Sequence, residues 1–224
     1  MTAGKERPTP IPFQAVLFGP RIPLWTSADW EDLRARRVLS VPAAVPYLLA
    51  HHLIPEAICG PPTACTPSVR RQLRAWRVRF LPGSAATPWE ALALGLNYAI
   101  TTGVRDIWLL GIGGNSLADT LAHISLLARP EWGGAHLTII HGQEKGHLLR
   151  HGETAILHGQ PGDQVLLVPL SPSVTEVTSQ GLAPEHHGQE LTFGEPALAH
   201  LTAHVGRVWI RAGRLLVAHT RTQT

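Results

Sequence analysis

Acidic residues are scarce where nucleotide chemistry would need them. Between Leu33 and Trp89 the 224-residue chain carries one carboxylate side chain, Glu56. Transfer of a phosphoryl or pyrophosphoryl group from a nucleotide normally runs through Mg²⁺, held by carboxylates on the loops that follow the strands. Here those loops read Val41-Pro42-Ala43-Ala44, Gly60-Pro61-Pro62-Thr63-Ala64 and Gly83-Ser84-Ala85-Ala86-Thr87-Pro88. They have the turn residues of a ligand site and none of the metal ligands. Lysine is nearly missing too, so the net charge of +3 and the pI near 9.3 rest on arginine, with Lys5 and Lys145 the only lysines. The cluster Arg70, Arg71, Arg74, Arg77 and Arg79 reads as a solvated helix face rather than a nucleic-acid footprint. Cys59 and Cys65 lack the C-x-x-C spacing of zinc or thioredoxin-type sites and are expected as reduced, partly buried thiols. No apolar run approaches the roughly 18 residues of a membrane span, and residues 1–12 form a polar, proline-rich tail without an apolar signal core. A soluble, cytoplasmic protein with no membrane or nucleic-acid partner is the expectation.

What is present divides into two halves. With 44% hydrophobic residues the chain has enough for one sizeable core or two small ones. Over residues 13–141, short Val-, Ile- and Leu-rich runs at 14–18, 38–41, 56–59, 78–81, 107–110 and 137–140 alternate with amphipathic stretches. Ser27 is placed to cap a helix over 29–36, and Pro67 to open one over 68–76. Thr87-Pro88-Trp89-Glu90 gives a stronger start signal, with a capping threonine, a first-turn proline and a glutamate positioned to bond back. A last helix runs from near Ser116 to before Pro130. Strands separated by helices imply a mainly parallel, doubly wound, Rossmann-like α/β sheet. From residue 142 to 224 the period changes to short runs punctuated by Gly and Pro, at 146–150, 154–157, 164–169, 174–178, 190–193, 208–211 and 215–219. This half reads as an all-β sandwich or barrel of roughly seven or eight strands.

In a doubly wound sheet the ligand lies beyond the carboxyl ends of the strands. Gly111-Ile112-Gly113-Gly114-Asn115-Ser116 follows a strand and precedes a helix, so its backbone N–H groups could approach an anion. It is neither a Walker A loop nor a G-x-G-x-x-G fingerprint, and tight turn packing is the ordinary alternative. Asp119, in the first turns of the following helix, is the one carboxylate of this cluster. It serves either as a metal contact through water or as compensation of the helix dipole. The thirteen histidines include the adjacent pairs His51-His52 and His186-His187 and the i, i+4 pair His200 and His204. None forms an H-E-x-x-H or Cys-His pattern, so no protein metal site is assigned. Ser116 lacks the Gly-x-Ser-x-Gly context of a nucleophile turn.

Two phrases of the second half carry a family resemblance. Gly162-Asp163-Gln164-Val165-Leu166-Leu167-Val168-Pro169-Leu170 and Val174-Thr175-Glu176-Val177-Thr178-Ser179-Gln180-Gly181-Leu182, with the closing Val208-Trp209-Ile210-Arg211-Ala212-Gly213-Arg214-Leu215-Leu216-Val217, resemble thiamine pyrophosphokinases over most of the chain. The resemblance implies an α/β nucleotide domain, a thiamine-binding β-sandwich and a homodimer with active sites between subunits. It implies transfer of pyrophosphate from ATP to thiamine with Mg²⁺, giving AMP and thiamine pyrophosphate.

Matched residue by residue, the family's acidic positions are replaced. Its Asp-Gly motif falls on Pro42-Ala43, and its Gly-Asp-x-Asp-Ser motif on Gly60-Pro61-Pro62-Thr63-Ala64. Its Lys-Asp-x-Thr-Asp motif falls on Ser84-Ala85-Ala86-Thr87-Pro88, and its Gly-Gly-Arg-x-Asp-His motif on Gly114-Asn115-Ser116-Leu117-Ala118-Asp119. The resemblance therefore implies a nucleotide-facing edge of Gly60, Thr63, Thr87, Gly111, Gly113, Gly114, Asn115 and Ser116, with Asp119 the one candidate catalytic residue. Its Ser-Asn pair that helps hold thiamine falls loosely near Ala199 and His200. Three functions stay open. The first is an impaired or repurposed homologue. The second is an active thiamine or pterin pyrophosphokinase with altered metal ligands, which would use Mg²⁺ and ATP. The third is a non-catalytic protein binding a small molecule such as thiamine or a nucleotide.

Overall fold

The computed structural model describes residues 11, 13–21, 29–83, 86–113 and 116–222. They form two compact units, one ending at His123 and the other beginning at Ile124. In the first unit, strands β1 (Gln14–Phe18), β2 (Arg37–Ser40), β3 (Ala57–Ile58), β4 (Arg79–Phe80) and β5 (Asp106–Leu110) are all parallel. Their order is β5-β1-β2-β3-β4. The expected runs at 14–18, 38–41, 56–59, 78–81 and 107–110 are all strands here, shifted by no more than a residue or two.

Helices α1 (Asp29–Arg34), α2 (Val45–Ala50), α3 (Pro67–Ala75), α4 (Pro88–Thr101) and α5 (Leu117–Leu127) separate and follow the strands. Sequence signals account for most of their ends. Thr66 accepts from the Val69 N–H with Pro67 in the first turn, and Thr87 and Glu90 form the expected capping box. The expected cap of α1, Ser27, lies outside the described residues, as do the 1–10 part of the tail, Ser84, Ala85, Gly114 and Asn115. The helix expected over 29–36 stops at Arg34, since β2 already begins at Arg37.

Val41-Pro42-Ala43-Ala44, expected as an open loop, instead carries a 3-10 turn over Pro42–Ala44 that runs into α2, an element the sequence reading missed. Two prolines at 42 and 46 hid a helix whose first turn needs neither N–H.

Helices pack on both faces of this sheet, as strand alternation shows. Ile58 joins Val45 of α2 and Leu73 of α3 in one apolar cluster. The next residue, Cys59, points the opposite way, and a Cβ on Gly95 of α4 would sit 2.8 Å from its sulfur. Both cysteines are buried and unbonded, and burial pushes the Cys59 thiol up to about 12.

The second unit is antiparallel in every pairing described. One set of strands is β6 (His136–His141), β7 (Glu144–Leu149), β9 (Gln164–Pro169), β11 (Leu182–Ala183), β13 (Ala197–Leu201) and β15 (Leu215–Thr220). The other is a four-stranded sheet of β8 (Thr154–His158), β10 (Ser173–Gln180), β12 (His187–Thr192) and β14 (Val205–Trp209). One apolar cluster draws on both sets, including Val165, Leu167, Val217 and Val177, Val208. The strands β11 and β13 were missed in the sequence, so nine rather than seven or eight follow residue 142. Ala197–Leu201 lacks β-branched residues, and Leu182–Ala183 is only two residues long.

Asp163, in the first family-like phrase, is 1% exposed and holds this unit's turns together. Its carboxylate accepts from the backbone N–H groups of Gln160 and Thr222, each at 2.9 Å, and lies 3.0 Å from His219 Nε2. Burial opposes its ionisation, but these backbone donors and the His219 ring hold its pKa down at about 2. Within this phrase Asp163 has a structural role.

Candidate functional site

Because β1–β5 are parallel, all their carboxyl ends share one edge of the sheet and all their amino ends the other. Connections from β1 to β4 step in one direction, and the return through α4 places β5 on the far side of β1. Strand order therefore reverses between β1 and β5, which is where an open α/β sheet offers a crevice.

Backbone bonds close this point tightly. The Gly19 N–H donates to Leu110 O at 2.7 Å and the Arg21 N–H to Gly111 O at 3.0 Å. A Cβ on Gly19 would come within 2.5 Å of Gly111 O, so only glycine fits there. Gly111 itself takes φ +63°. Sequence reasoning missed Gly19 and Arg21. The signal for both was a Gly-Pro-Arg turn directly after an apolar strand.

Most residues expected to form the edge lie on the carboxyl-end loops of this unit. Gly60 follows β3 and is buried, and exposed Thr63 sits in the next 3-10 turn. Thr87 begins α4, and its hydroxyl is already engaged by the Glu90 N–H at 3.3 Å. Gly111 and Gly113 follow β5, with open space where a Cβ on Gly113 would lie. The Ser116 hydroxyl accepts from the Asp119 N–H at 3.1 Å and so caps α5. Gly114 and Asn115 lie outside the described residues. Ala199 and His200 belong to β13 of the second unit, where Ala199 is fully buried in the core and only His200 is part-exposed.

Carboxylates show where charge has gone. Glu56, the one acid of the long neutral stretch, immediately precedes β3 and so stands at the amino edge. Arg37 Nε and Nη2 donate to its two oxygens at 2.8 and 2.7 Å, and the Tyr98 hydroxyl donates at 2.9 Å. Arg79 Nη1 donates to the Tyr98 oxygen at 3.1 Å. The bidentate Arg37 contact, with Tyr98 behind it, lowers the Glu56 pKa against the opposing effect of burial. Asp106, first residue of β5, pairs with Arg36 at 2.8 Å, and that guanidinium lies 3.7 Å above the Trp108 ring. Both acids are structural and on the wrong side of the sheet for a strand-end ligand.

At the carboxyl edge two carboxylates remain among the described residues. Glu90 Oε2 accepts from the Ala86 and Thr87 N–H groups at 2.8 and 3.0 Å, which engages it in the helix cap. Asp119 alone has its carboxylate without a described partner. Among the described residues no three His, Cys, Asp or Glu side chains are placed to hold a metal ion. A carboxylate-held Mg²⁺ of the kind that family chemistry uses does not fit this donor set.

On α5 the spacing of Ser116, Asp119, Thr120 and His123 sets them on one helix face. His123 is fully buried, and among the described residues neither ring nitrogen has a hydrogen-bond partner. The sequence signal was its i, i+4 relation to Asp119.

No family model matches the chain, and no curated protein matches its sequence. Solved structures do match. Thiamine pyrophosphokinase from Bacillus subtilis aligns with a TM-score of 0.78 at 17% identity, over 94% of this chain and 100% of that one. The enzyme from Geobacillus thermodenitrificans gives 0.75 at 17% identity, over 94% and 98%. The yeast enzyme gives 0.65 at 10% identity, over 96% and 88%. The chain has the fold of the thiamine pyrophosphokinases, a mixed α/β arrangement with parallel strands and a separate antiparallel sheet.

Proposed function

We propose that this chain is a thiamine pyrophosphokinase-like protein whose ancestral reaction, ATP and thiamine to AMP and thiamine pyrophosphate, is impaired or replaced by ligand binding. In this reading the first unit is the doubly wound, Rossmann-like nucleotide domain and the second the β-sandwich that lined the thiamine side. The protein acts as a cytoplasmic homodimer. The strand-end loops carrying Gly60, Thr63, Thr87, Gly111, Gly113 and Ser116 keep a pocket edge for a small molecule.

One observation carries the reading. Three carboxylates of the α/β unit are engaged away from a strand-end ligand, Glu56 and Asp106 in ion pairs at the amino edge and Glu90 in a helix cap, which leaves Asp119 at the carboxyl edge. Mg²⁺ binding to a triphosphate needs oxygen ligands, and removing one electrostatic contact from such a site typically costs on the order of 10²–10³ in rate. Several contacts to the same ion are replaced here by proline and alanine.

Purified full-length protein incubated with ATP, thiamine and Mg²⁺ is expected to form thiamine pyrophosphate at less than about a thousandth of an ordinary kinase turnover. Robust Mg²⁺-dependent product, abolished by Asp119→Asn, would establish instead an active enzyme with its metal held through Asp119.

A further inference from the structure

Two arginines of the second unit face each other, and neither guanidinium is bonded to a carboxylate among the described residues. Leu149 of β7 and Leu215 of β15 are partners in the antiparallel register, so Arg150 and Arg214 stand opposite one another one step beyond the ladder. Both leucines belong to the apolar cluster, which sends both arginine side chains from the other face of the strands. Arg150 is 8% exposed, and Arg214 is partly buried. Arg150 Nη1 donates to Ala135 O at 3.1 Å, and Nη2 to Leu127 O, at the end of α5, at 3.5 Å. The Nε of each arginine is buried and has no partner among the described residues. Like charges set directly opposite across a strand pair repel, and a guanidinium withdrawn from water needs acceptors in its place.

Glu153 supplies charge here but no bond to either guanidinium. One of its oxygens accepts from the Arg150 backbone N–H at 2.8 Å, and the other lies 3.8 Å from His136 Nδ1. Burial lowers the Arg150 pKa, and Arg214 adds to that effect against the pull of Glu153. Two guanidinium charges against one carboxylate leave one positive charge unmatched. We propose that Arg150 and Arg214 bind the carboxylate of a small organic acid, seated between the two guanidinium groups on the face of β7 and β15 turned away from the apolar cluster. A carboxylate suits the pair because one negative charge completes the balance and its planar oxygens match the guanidinium fork, whereas a phosphate dianion overshoots the balance. The recessed position of Arg150 admits a small terminal group rather than a polymer chain. The site lies within the second unit and shares no residue with the strand-end reading above, so either stands if the other fails.

The Nε–H signals of the two arginines in proton–nitrogen correlation spectra of the full chain report on this site. Titration with sodium acetate, against sodium chloride at equal ionic strength, should shift both signals saturably. Half-saturation is expected at about millimolar concentration, the range open to so small a ligand. Chloride should leave both signals in place, and inorganic phosphate should bind several-fold more weakly than acetate. Arg214→Gln should abolish the saturable shift of the Arg150 signal, and its thermal midpoint without acetate should match or exceed that of wild type, because a repulsion is gone. Acetate should raise the midpoint of wild type and not that of Arg214→Gln. Arg207→Gln, which changes an exposed arginine on β14, should bind acetate as wild type does. Should Arg214→Gln not fold, Arg214→Lys, which keeps the charge and loses the fork, should weaken acetate binding about ten-fold.

Guanidinium groups that are only hydrated would show no saturable shift, or the same shift with chloride, and either result overturns the proposal. Equal acetate affinity of wild type and Arg214→Gln, or equal losses in Arg214→Gln and Arg207→Gln, would do so too. Phosphate binding as tight as that of acetate would refute the carboxylate assignment.

Discussion

The two edges of the parallel sheet treat charge in opposite ways. At the amino edge every acid is matched: Glu56 grips Arg37 with both oxygens, and Asp106 holds Arg36 against the Trp108 ring. At the carboxyl edge, strands end in glycine, proline and alanine, and the side chains of Arg21 and Asp119 have no partner among the described residues. The same fold thus holds a charge network that stabilises it and a rim left free of such pairing. The lesson is that the position of an acid relative to strand direction decides its role, and its presence in the sequence does not.

Three substitutions would break or sharpen that contrast. Arg36→Ala should have the largest effect, since it removes an ion pair and a guanidinium–indole stack from a side chain 8% exposed. A loss of about 2–3 kcal/mol in urea unfolding is expected. A loss below about 0.5 kcal/mol would mean the amino edge is not the unit's electrostatic clamp.

Glu56→Gln should cost about 1–2 kcal/mol at neutral pH, because one neutral amide cannot accept from both guanidinium nitrogens and the Tyr98 hydroxyl. The sign of its pH dependence follows from the lowered pKa of Glu56. Its contribution is complete above the unfolded value of about 4.3 and fades as pH falls through the folded value. Unfolding curves of wild type and Glu56→Gln should therefore converge on acidification. A difference that stayed constant down to pH 2 would show that the pair contributes nothing as an ion pair.

Glu90→Ala, on the opposite edge, should cost only about 0.5–1 kcal/mol, the value of half a capping box, as read by the thermal midpoint. A loss above about 2 kcal/mol would mean that Glu90 does more than cap α4 and would narrow the contrast between the edges.

Much of this architecture was legible in the residues. The run Gln14–Phe18 is apolar and β-rich, and the strand matches it end for end. Thr87, Pro88 and Glu90 specify the start of α4 through short-range bonds, so no tertiary partner was needed to read it. Where local signals were weak, the reading missed. Pro46 masked α2, and Ala197–Leu201 is a strand only because β9 and β11 pair with its two sides. The candidate site divides in the same way. Gly111 and Ser116 stood out as a strand-to-helix turn, whereas Gly19, Arg21 and His123 gain meaning only from neighbours distant in sequence.

The sequence by itself determined that a strand-end phosphate site here would be short of carboxylates, since no folding can add an acid to Pro42-Ala43 or Pro61-Pro62. It also determined the alternation of strands and helices, because apolar spacing and caps are local. Only the tertiary structure decided that Glu56 belongs to the far edge of the sheet, that Gly19 must stay bare against Gly111, and that His123 is buried without a partner among the described residues. Those facts depend on strand order and on packing between segments far apart in the chain, which the order of the residues does not spell out.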